Sequence, residues 1–512
     1  MIKRIFTVGG LTLLSRLTGF ARDLVLAAVL GAGPLADAFF VALRLPNHFR
    51  AIFAEGAFNA AFVPAYARIH KQGGADAAGL FGDRVFTLLL GSQIVLLLAA
   101  LAFTPWLIAL LAPGFESEPV QFERAVALTR ITFPYLLLVS LVTLYGGILN
   151  ALARFAAAAA APVFLNLTMI MTLAVATLFP TPGHAAAWGV FIAGILEVLL
   201  VGGDALRNGV LPVLRRPRLD ADVKAFFRAL WPATLGSAGL QIALFADTIL
   251  ASLLNPGALS ALYYADRINQ LPIGVIGIAV GTVLLPEMAG RIAAGEEEGA
   301  RRAQTRAMEL TLLLSIPCLV AFLFIPELIM RALFMRGAFT AADAKAAGQT
   351  LAAYGIGLLP FVLIRSVTAT FLARGDTATP VKASLIAVAV NVVFKILLMQ
   401  PLAQIGLALA TSIGAWINLG LVTWFAVRQK HLIVDAPLRA SAVRFLVAGV
   451  ALAVGLWLID RALPHLGFHP ARLRDESTLV LLACAGALIY GLAVAALFGR
   501  QWRAILQGAD LR

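Results

Sequence analysis

Residues 21–46 read ARDLVLAAVLGAGPLADAFFVALRLP, and residues 245–272 read FADTILASLLNPGALSALYYADRINQLP. The second stretch echoes the first. Asp23 pairs with Asp247, Gly33 with Gly257 and Phe39-Phe40 with Tyr263-Tyr264, each at an offset of 224, while Leu45-Pro46 pairs with Leu271-Pro272 at 226. Further along, Pro64 to Arg68 resembles Pro286 to Arg291, and Ala153-Arg154 before Pro162 echoes Ala373-Arg374 before Pro380. Chance could supply one such match; a near-constant offset in four places points to an internal repeat.

Both copies sit in chain that reads as membrane. Of 512 residues, 61% are hydrophobic and 13% charged, against roughly 25% charged in a soluble domain. Apolar stretches of about 20 residues recur end to end, each long enough to cross a ~30 Å hydrocarbon layer as a helix. Spans are expected near 5–30, 37–63, 85–111, 125–149, 161–179, 185–204, 229–254, 259–285, 307–330, 347–371, 383–402, 406–427, 445–462 and 477–498. The fold class is therefore an all-α polytopic membrane protein of about fourteen transmembrane helices, with connections too short to hold an extramembrane domain.

The formal charge of +13 from 40 Lys and Arg follows the same map. About 25 of them fall at the N-terminus, the even-numbered connections and the C-terminus, and about 7 in the odd-numbered connections, which predicts that both termini face the cytoplasm. A basic rim beside anionic lipid accounts for the charge, and no nucleic-acid partner is expected. The opening Met1-Ile2-Lys3-Arg4 begins like a signal peptide, but Arg16 and Arg22 interrupt the apolar run, so a retained first helix is expected. Cys318 and Cys484 fall in separate spans and read as packing residues.

The repeat copies begin at spans 1 and 7. Six spans apart, they share an orientation, so the repeats are parallel and related by a pseudo-two-fold along the membrane normal. The expected organisation is an N-lobe over 1–220, a C-lobe over 221–430 and two further helices over 431–512. Two six-helix lobes would face each other across a central cavity.

Charges interrupt these spans where lipid should be. Span 1 holds Ser15, Arg16, Arg22 and Asp23; span 2 holds Asp37, Arg44, Asn47, His48, Arg50 and Glu55; span 8 opens with Asp266-Arg267. Five arginines facing lipid would cost on the order of 15 kcal/mol, so they must face water or one another. Arg16 and Asp23, Ser15 and Arg22, and Asp37 and Arg44 are each seven apart, close to two helical turns, which puts each pair on one side. Pro46 permits a kink that shifts the phase for Arg50. Arginine's planar fork suits a diphosphate and stays charged at any working pH. Arg16, Arg22, Arg44, Arg50 and Arg267 against Asp23, Asp37, Glu55 and Asp266 leave about one positive charge, so an arriving diphosphate would have to displace carboxylates from arginines. The competing reading, that these charges pair among themselves and hold the lobes together, stays open. Asp247, Asn391 and Lys395 in the second lobe are candidate ion-coupling groups or a buried structural pair.

The runs Ser15-Arg16-Leu17-Thr18-Gly19-Phe20-Ala21-Arg22-Asp23, Ala36-Asp37-Ala38-Phe39-Phe40, Leu45-Pro46-Asn47, Phe53-Ala54-Glu55-Gly56, Phe62-Val63-Pro64, Phe133-Pro134-Tyr135, Tyr263-Tyr264-Ala265-Asp266-Arg267 and Thr379-Pro380-Val381-Lys382 resemble the bacterial lipid II flippase family, MurJ or MviN. That family lies in the multidrug/oligosaccharidyl-lipid/polysaccharide (MOP) exporter superfamily. The resemblance runs through essentially all the spans and is tightest in the first two. It implies two lobes around a cavity, alternating access, and transfer of lipid II from the cytoplasmic to the periplasmic leaflet of the bacterial inner membrane. It implies substrate-binding roles for Ser15, Arg16, Arg22, Asp37, Arg50, Glu55 and Arg267, a basic residue expected at Arg44, and a groove for the polyprenyl tail at the last two helices. Partners expected are lipid II, membrane lipids and the cell-wall synthesis machinery. No cofactor and no metal are expected, with coupling to the membrane potential or a monovalent cation left open. A drug or cation antiporter would need a cavity led by carboxylates. An exporter of another polyprenyl-linked glycan is harder to separate. An integral-membrane transferase acting on diphosphates would need paired carboxylates for Mg²⁺, and no span carries such a pair.

Overall fold

The computed structural model describes residues 2–53, 56–433, 435–462 and 474–499. Among them every regular element is helical. Close packing divides the chain into two units, one of residues 1–260 with 336–340, the other of 261–335 with 341–512.

The first unit holds α1 (Ile2–Leu30), α2 (Pro34–Phe53), α3 (Gly56–Ala102), α4 (Thr104–Leu111), α5 (Pro119–Thr132), α6 (Pro134–Ala151), α7 (Ala156–Ala174), α8 (Pro182–Arg207) and α9 (Ala221–Ser252). Proline starts α2, α5, α6 and α8, where its missing N–H costs nothing and its fixed φ suits the first turn. Asp220 caps α9 by accepting from the Val223 amide at 2.8 Å. The expected span 37–63 falls on α2 and the first residues of α3, with helix described to Phe53 and again from Gly56 and with Ala54 and Glu55 outside the described residues. The stretch 64–84, expected as a connection, is helical on both sides of a break at Gly74, whose φ is 81°. Phe62 stacks on Phe81 with ring centroids 5.6 Å apart, so α3 is a helical hairpin folded at that glycine. Phe58, Phe226 and Tyr66 complete its aromatic core. The basic connection after α8 is tied to α3: Val213 N donates to Asp83 at 2.8 Å, Arg215 N to Thr87 at 3.0 Å, and Arg84 pairs with Asp220.

In this unit α2 packs against α3, α5, α6, α8 and α9, and α1 lies against α7. The repeat matched Gly33 to Gly257. In the structure the left-handed glycine of the first turn is Gly31 (φ 69°), and that of the second is Gly257 (φ 93°). Segment 336–340 lies over the end of α1, where the Ala338 amide donates to Ala28 O at 2.7 Å.

The second unit holds α10 (Ala258–Pro272, its first turn in the first unit), α11 (Ile278–Ala293), α12 (Glu297–Phe324), α13 (Pro326–Phe334), α14 (Ala341–Ile356), α15 (Leu358–Leu372), α16 (Ala378–Arg428), α17 (Ala436–Ala462) and α18 (Arg474–Phe498). A π-helical turn, Ile273–Gly277, follows Pro272, which cannot donate to the helical ladder. Helix α16 breaks at Ala403 (φ 49°), and its arms run antiparallel: Asn391 Nδ2 donates to Ala410 O at 3.0 Å. α12 is the hub, packing on α11, α15 and α17, and α17 and α18 pack together. The described cysteines Cys318 and Cys484 are free, the first half-buried and the second exposed.

Ten helical runs among the described residues are long and apolar enough to cross a membrane. α1 and α2 are not among the ten, in keeping with the charges they carry.

Candidate functional site

One face of α1 carries Ser15, Thr18, Gly19 and Arg22, spaced as one helical stripe. Asn166 of α7 organises it. Its Nδ2 donates to Ser15 O at 3.0 Å and to Thr18 Oγ1 at 3.2 Å, and its Oδ1 accepts from Arg22 Nη1 at 3.0 Å. Gly19 leaves room for that amide: a Cβ there would lie 3.3 Å from Asn166 Nδ2. Arg22 is buried and donates twice more, from Nε at 3.1 Å and Nη2 at 2.7 Å, to Asp23 Oδ1. The sequence spacing put Arg16 and Asp23 on one side of the helix. The adjacent Arg22 holds Asp23, since a long guanidinium side chain can fold back along the helix surface, and Arg16 is exposed. Ser15 and Arg22 do share a side, joined through Asn166.

On α2, Asp37 is 2% exposed. Its carboxylate accepts from Gly257 N at 2.6 Å, Ser260 N at 2.8 Å and the Ser260 hydroxyl. These donors are the unsatisfied amides at the start of α10, so Asp37 caps a helix 220 residues away in the chain. Arg44, two turns on, acts electrostatically on Asp37, as the seven-residue spacing required, and donates to Thr248 Oγ1 of α9 at 3.0 Å. Asp247 lies half-buried beside that threonine. Helix α2 continues through Pro46 to Phe53. Proline leaves the carbonyl four residues back without its helical donor, and Thr132 Oγ1 supplies one to Ala42 O at 2.8 Å.

Arg50 follows on α2, half-buried, and acts electrostatically on Glu197 of α8. Glu197 is 2% exposed, and its Oε2 accepts from the Tyr135 hydroxyl of α6 at 3.3 Å. Glu55 and the side chain of His48 lie outside the described residues.

In the second unit, Arg267 is half-buried, with its guanidinium 4.8 Å from the Tyr263 ring centroid and Nη2 donating to the Tyr263 hydroxyl at 3.1 Å. Lys395 is buried on the first arm of α16, one turn beyond Asn391. Asn391 ties the two arms together through Ala410 O. An apolar crevice of about 350 Å³ runs between α12 and α17, lined by Ile316, Val320, Phe324, Gly449, Val450 and Trp457. Among the described residues no three His, Cys, Asp or Glu side chains gather as metal ligands.

Asn166, Thr248 and Glu197 were not singled out from sequence. Glu197 carried a legible signal, as a carboxylate in the apolar run 185–204. Asn166 and Thr248 carried none, because single neutral polar residues are common in spans.

The family model for the lipid II flippase MurJ matches residues 26–473. A probable lipid II flippase MurJ of Rhizobium meliloti is 41% identical over 500 residues, covering 96% of this chain and 93% of the relative. A lipid II flippase MurJ of Burkholderia cenocepacia is 32% identical over 98% of this chain and 97% of its own. Among solved structures, a lipid II flippase MurJ in an inward closed conformation superposes with TM-score 0.82 at 23% identity, covering 96% of this chain and 98% of that one. An inward-facing multidrug resistance MATE family transporter of the MOP superfamily superposes with TM-score 0.67 at 15% identity, over 84% of this chain and 95% of that one. At these identities the structural matches speak for the fold alone, a multi-pass bundle of helices.

Proposed function

We propose, since the chain belongs to the lipid II flippase MurJ family, that it carries lipid II from the cytoplasmic to the periplasmic leaflet of the bacterial inner membrane by alternating access, with both termini cytoplasmic. The observation that carries this reading is the state of the intramembrane arginines: Arg22 on Asp23 and Asn166, and Arg44 on Thr248. Each guanidinium is neutralised or hydrogen-bonded by a protein group that a diphosphate oxygen can replace. Ser15, Arg16, Arg22, Asp37, Arg44, Arg50, Glu55 and Arg267 form the substrate-handling set in this reading, across an N-lobe of six helices and a C-lobe of six. No bond of the substrate is made or broken. The protein's task is to spare sugars and phosphates the cost of entering hydrocarbon, while the polyprenyl tail stays in lipid against the last two helices.

Asp37 holds the start of α10 through three acceptor contacts. The membrane potential, worth about 2.3 kcal/mol per charge per 100 mV, is a suitable driving force for resetting a cavity of net positive charge. Asp247, Asn391 and Lys395 are the second-lobe groups through which a cation could act instead. The deciding experiment is depletion of the protein in its own host, scored for lipid II trapped in the cytoplasmic leaflet. Trapping relieved by wild type and not by Arg22→Ala supports the reading. Normal lipid II distribution on depletion, with another polyprenyl-linked glycan retained, would move the chain to a sister exporter activity.

A further inference from the structure

The connection between α8 and α9 carries no helix from Val210 to Asp220, yet it is fastened along the second arm of α3. Val213 N donates to one oxygen of the buried Asp83 at 2.8 Å, and Arg215 Nε reaches the other at 3.2 Å. Arg215 N donates to Thr87 Oγ1 at 3.0 Å, and Arg84 holds the far end through Asp220. The spacing fits an extended ribbon running with the helix. Two residues of extended chain advance ~6.6 Å, and the step from Asp83 to Thr87 on a helix advances ~6 Å.

This fixed ribbon turns both apolar and basic side chains outward. Val213, Leu214 and Leu219 are each more than half exposed, and Arg215, Arg216 and Arg218 are exposed among them. Arg216 and Arg218 enter no ion pair among the described residues. Helix α3 sets the depth. Its apolar run opens at Val85-Phe86-Thr87-Leu88-Leu89-Leu90. The bond from Arg215 N to Thr87 therefore places the ribbon where that helix passes from water into hydrocarbon, the layer of lipid headgroups. Trp231, exposed on α9 after the ribbon, is the residue type that favours this layer.

We propose that ribbon 213–219 is a docking site for anionic phospholipid of the bilayer, with Arg216 and Arg218 on the headgroup phosphates and Val213, Leu214 and Leu219 among the upper acyl carbons. The leaflet is the cytoplasmic one, which rests on the orientation proposed above; the site itself does not depend on lipid II. Charge and depth decide the occupant. Guanidinium groups bind phosphate oxygens bidentately, attraction to anionic lipid acts only within a Debye length of the surface, and exposed leucines at that depth are covered by lipid. An ordinary basic rim needs charge alone. This site also needs the ribbon held on α3, and Asp83 holds it. A backbone fixed beforehand spares the cost of ordering a loop on binding.

The test is thermal unfolding of the full chain in a neutral detergent with added phosphatidylglycerol, phosphatidylcholine of the same acyl chains, or inorganic phosphate. A ligand that binds the folded protein raises its melting temperature. Wild type should gain several degrees more from phosphatidylglycerol than from phosphatidylcholine, and little from inorganic phosphate. Arg216→Gln with Arg218→Gln should lose that difference. Lys382→Gln with Arg439→Gln removes the same charge from exposed positions of the second unit and should keep it. Asp83→Ala frees the ribbon without touching its arginines, and should lose most of the difference although the protein becomes more positive. Each readout compares two lipids in one variant, so a lower basal melting temperature does not obscure it. Arg216→Lys with Arg218→Lys should keep about half of the difference, since the charge stays and the fork is lost, and serves if the glutamine pair does not fold. Equal gains from the two lipids in wild type overturn the proposal. So does a loss in the second-unit variant as large as that in the ribbon variants, or survival of the difference in Asp83→Ala. A wild-type gain from inorganic phosphate equal to that from phosphatidylglycerol would make the ribbon a site for free anions and not for lipid. The assay contains no lipid II and no membrane, so failure of the transport reading or of the orientation leaves its result standing.

Discussion

The polar residues of α1 and α2 and those of α10 and α16 solve the same problem by different means. In the first unit, intramembrane charges meet a carboxylate, an amide and a hydroxyl: Arg22 with Asp23 and Asn166, and Arg44 with Thr248. In the second unit, Arg267 lies over an aromatic ring and on its hydroxyl, and Asn391 serves the backbone of a hairpin. A guanidinium balanced by a carboxylate surrenders a full charge partner when an anion arrives; on the proposed function that exchange falls to Arg22 and Asp23 in the first unit.

The largest effect expected from this contrast is at Asp37. Asp37→Ala leaves two amides and a hydroxyl at the start of α10 without their acceptor, a loss of about 3 kcal/mol. Thermal melting in detergent should drop by several degrees and complementation should fail, with Asp37→Asn intermediate. Wild-type melting for Asp37→Ala would show that the cap does not hold α10.

Next is Arg22. Arg22→Lys keeps the charge and loses the fork, so transport should fall by about tenfold while membrane abundance is retained. Arg22→Ala should be worse, because Asp23 then stays buried without its guanidinium. Exchanging the pair, with Asp at 22 and Arg at 23, distinguishes anion handling from structural pairing. Restored transport in a complementation assay would make the pair structural.

A smaller effect tests how α2 passes through Pro46. Thr132→Val should cost about 1 kcal/mol, since Ala42 O loses the donor that replaced its helical one. In a Pro46→Ala background the backbone N–H returns and the same substitution should cost markedly less. A melting-temperature double-mutant cycle reads the difference, and additivity would refute the compensation.

The smallest effect belongs to the second unit. Tyr263→Phe keeps the ring under Arg267 and removes one hydrogen bond, for a loss of about 0.5–1 kcal/mol in stability and little change in transport. A transport defect as large as that of Arg22→Lys would erase the contrast between the units.

The membrane class and the polar stripe on the first helices were legible in the sequence. Hydropathy over about 20 residues and a seven-residue spacing are local properties, and no distant contact can reverse them. So Asp37 and Arg44 act on one another as their spacing required, and Ser15 and Arg22 meet on one side of α1. Local rules also set their own limits. They matched Gly33 to Gly257, where the left-handed turn falls at Gly31. Tertiary structure alone chose the partners. Arg22 reaches Asn166 across 144 residues of chain, and Asp37 reaches Gly257 across 220. In a membrane interior every charge must find compensation, but spacing along one helix says only which way a charge points. Whether it meets a carboxylate, an amide or the open end of another helix depends on which helices pack together.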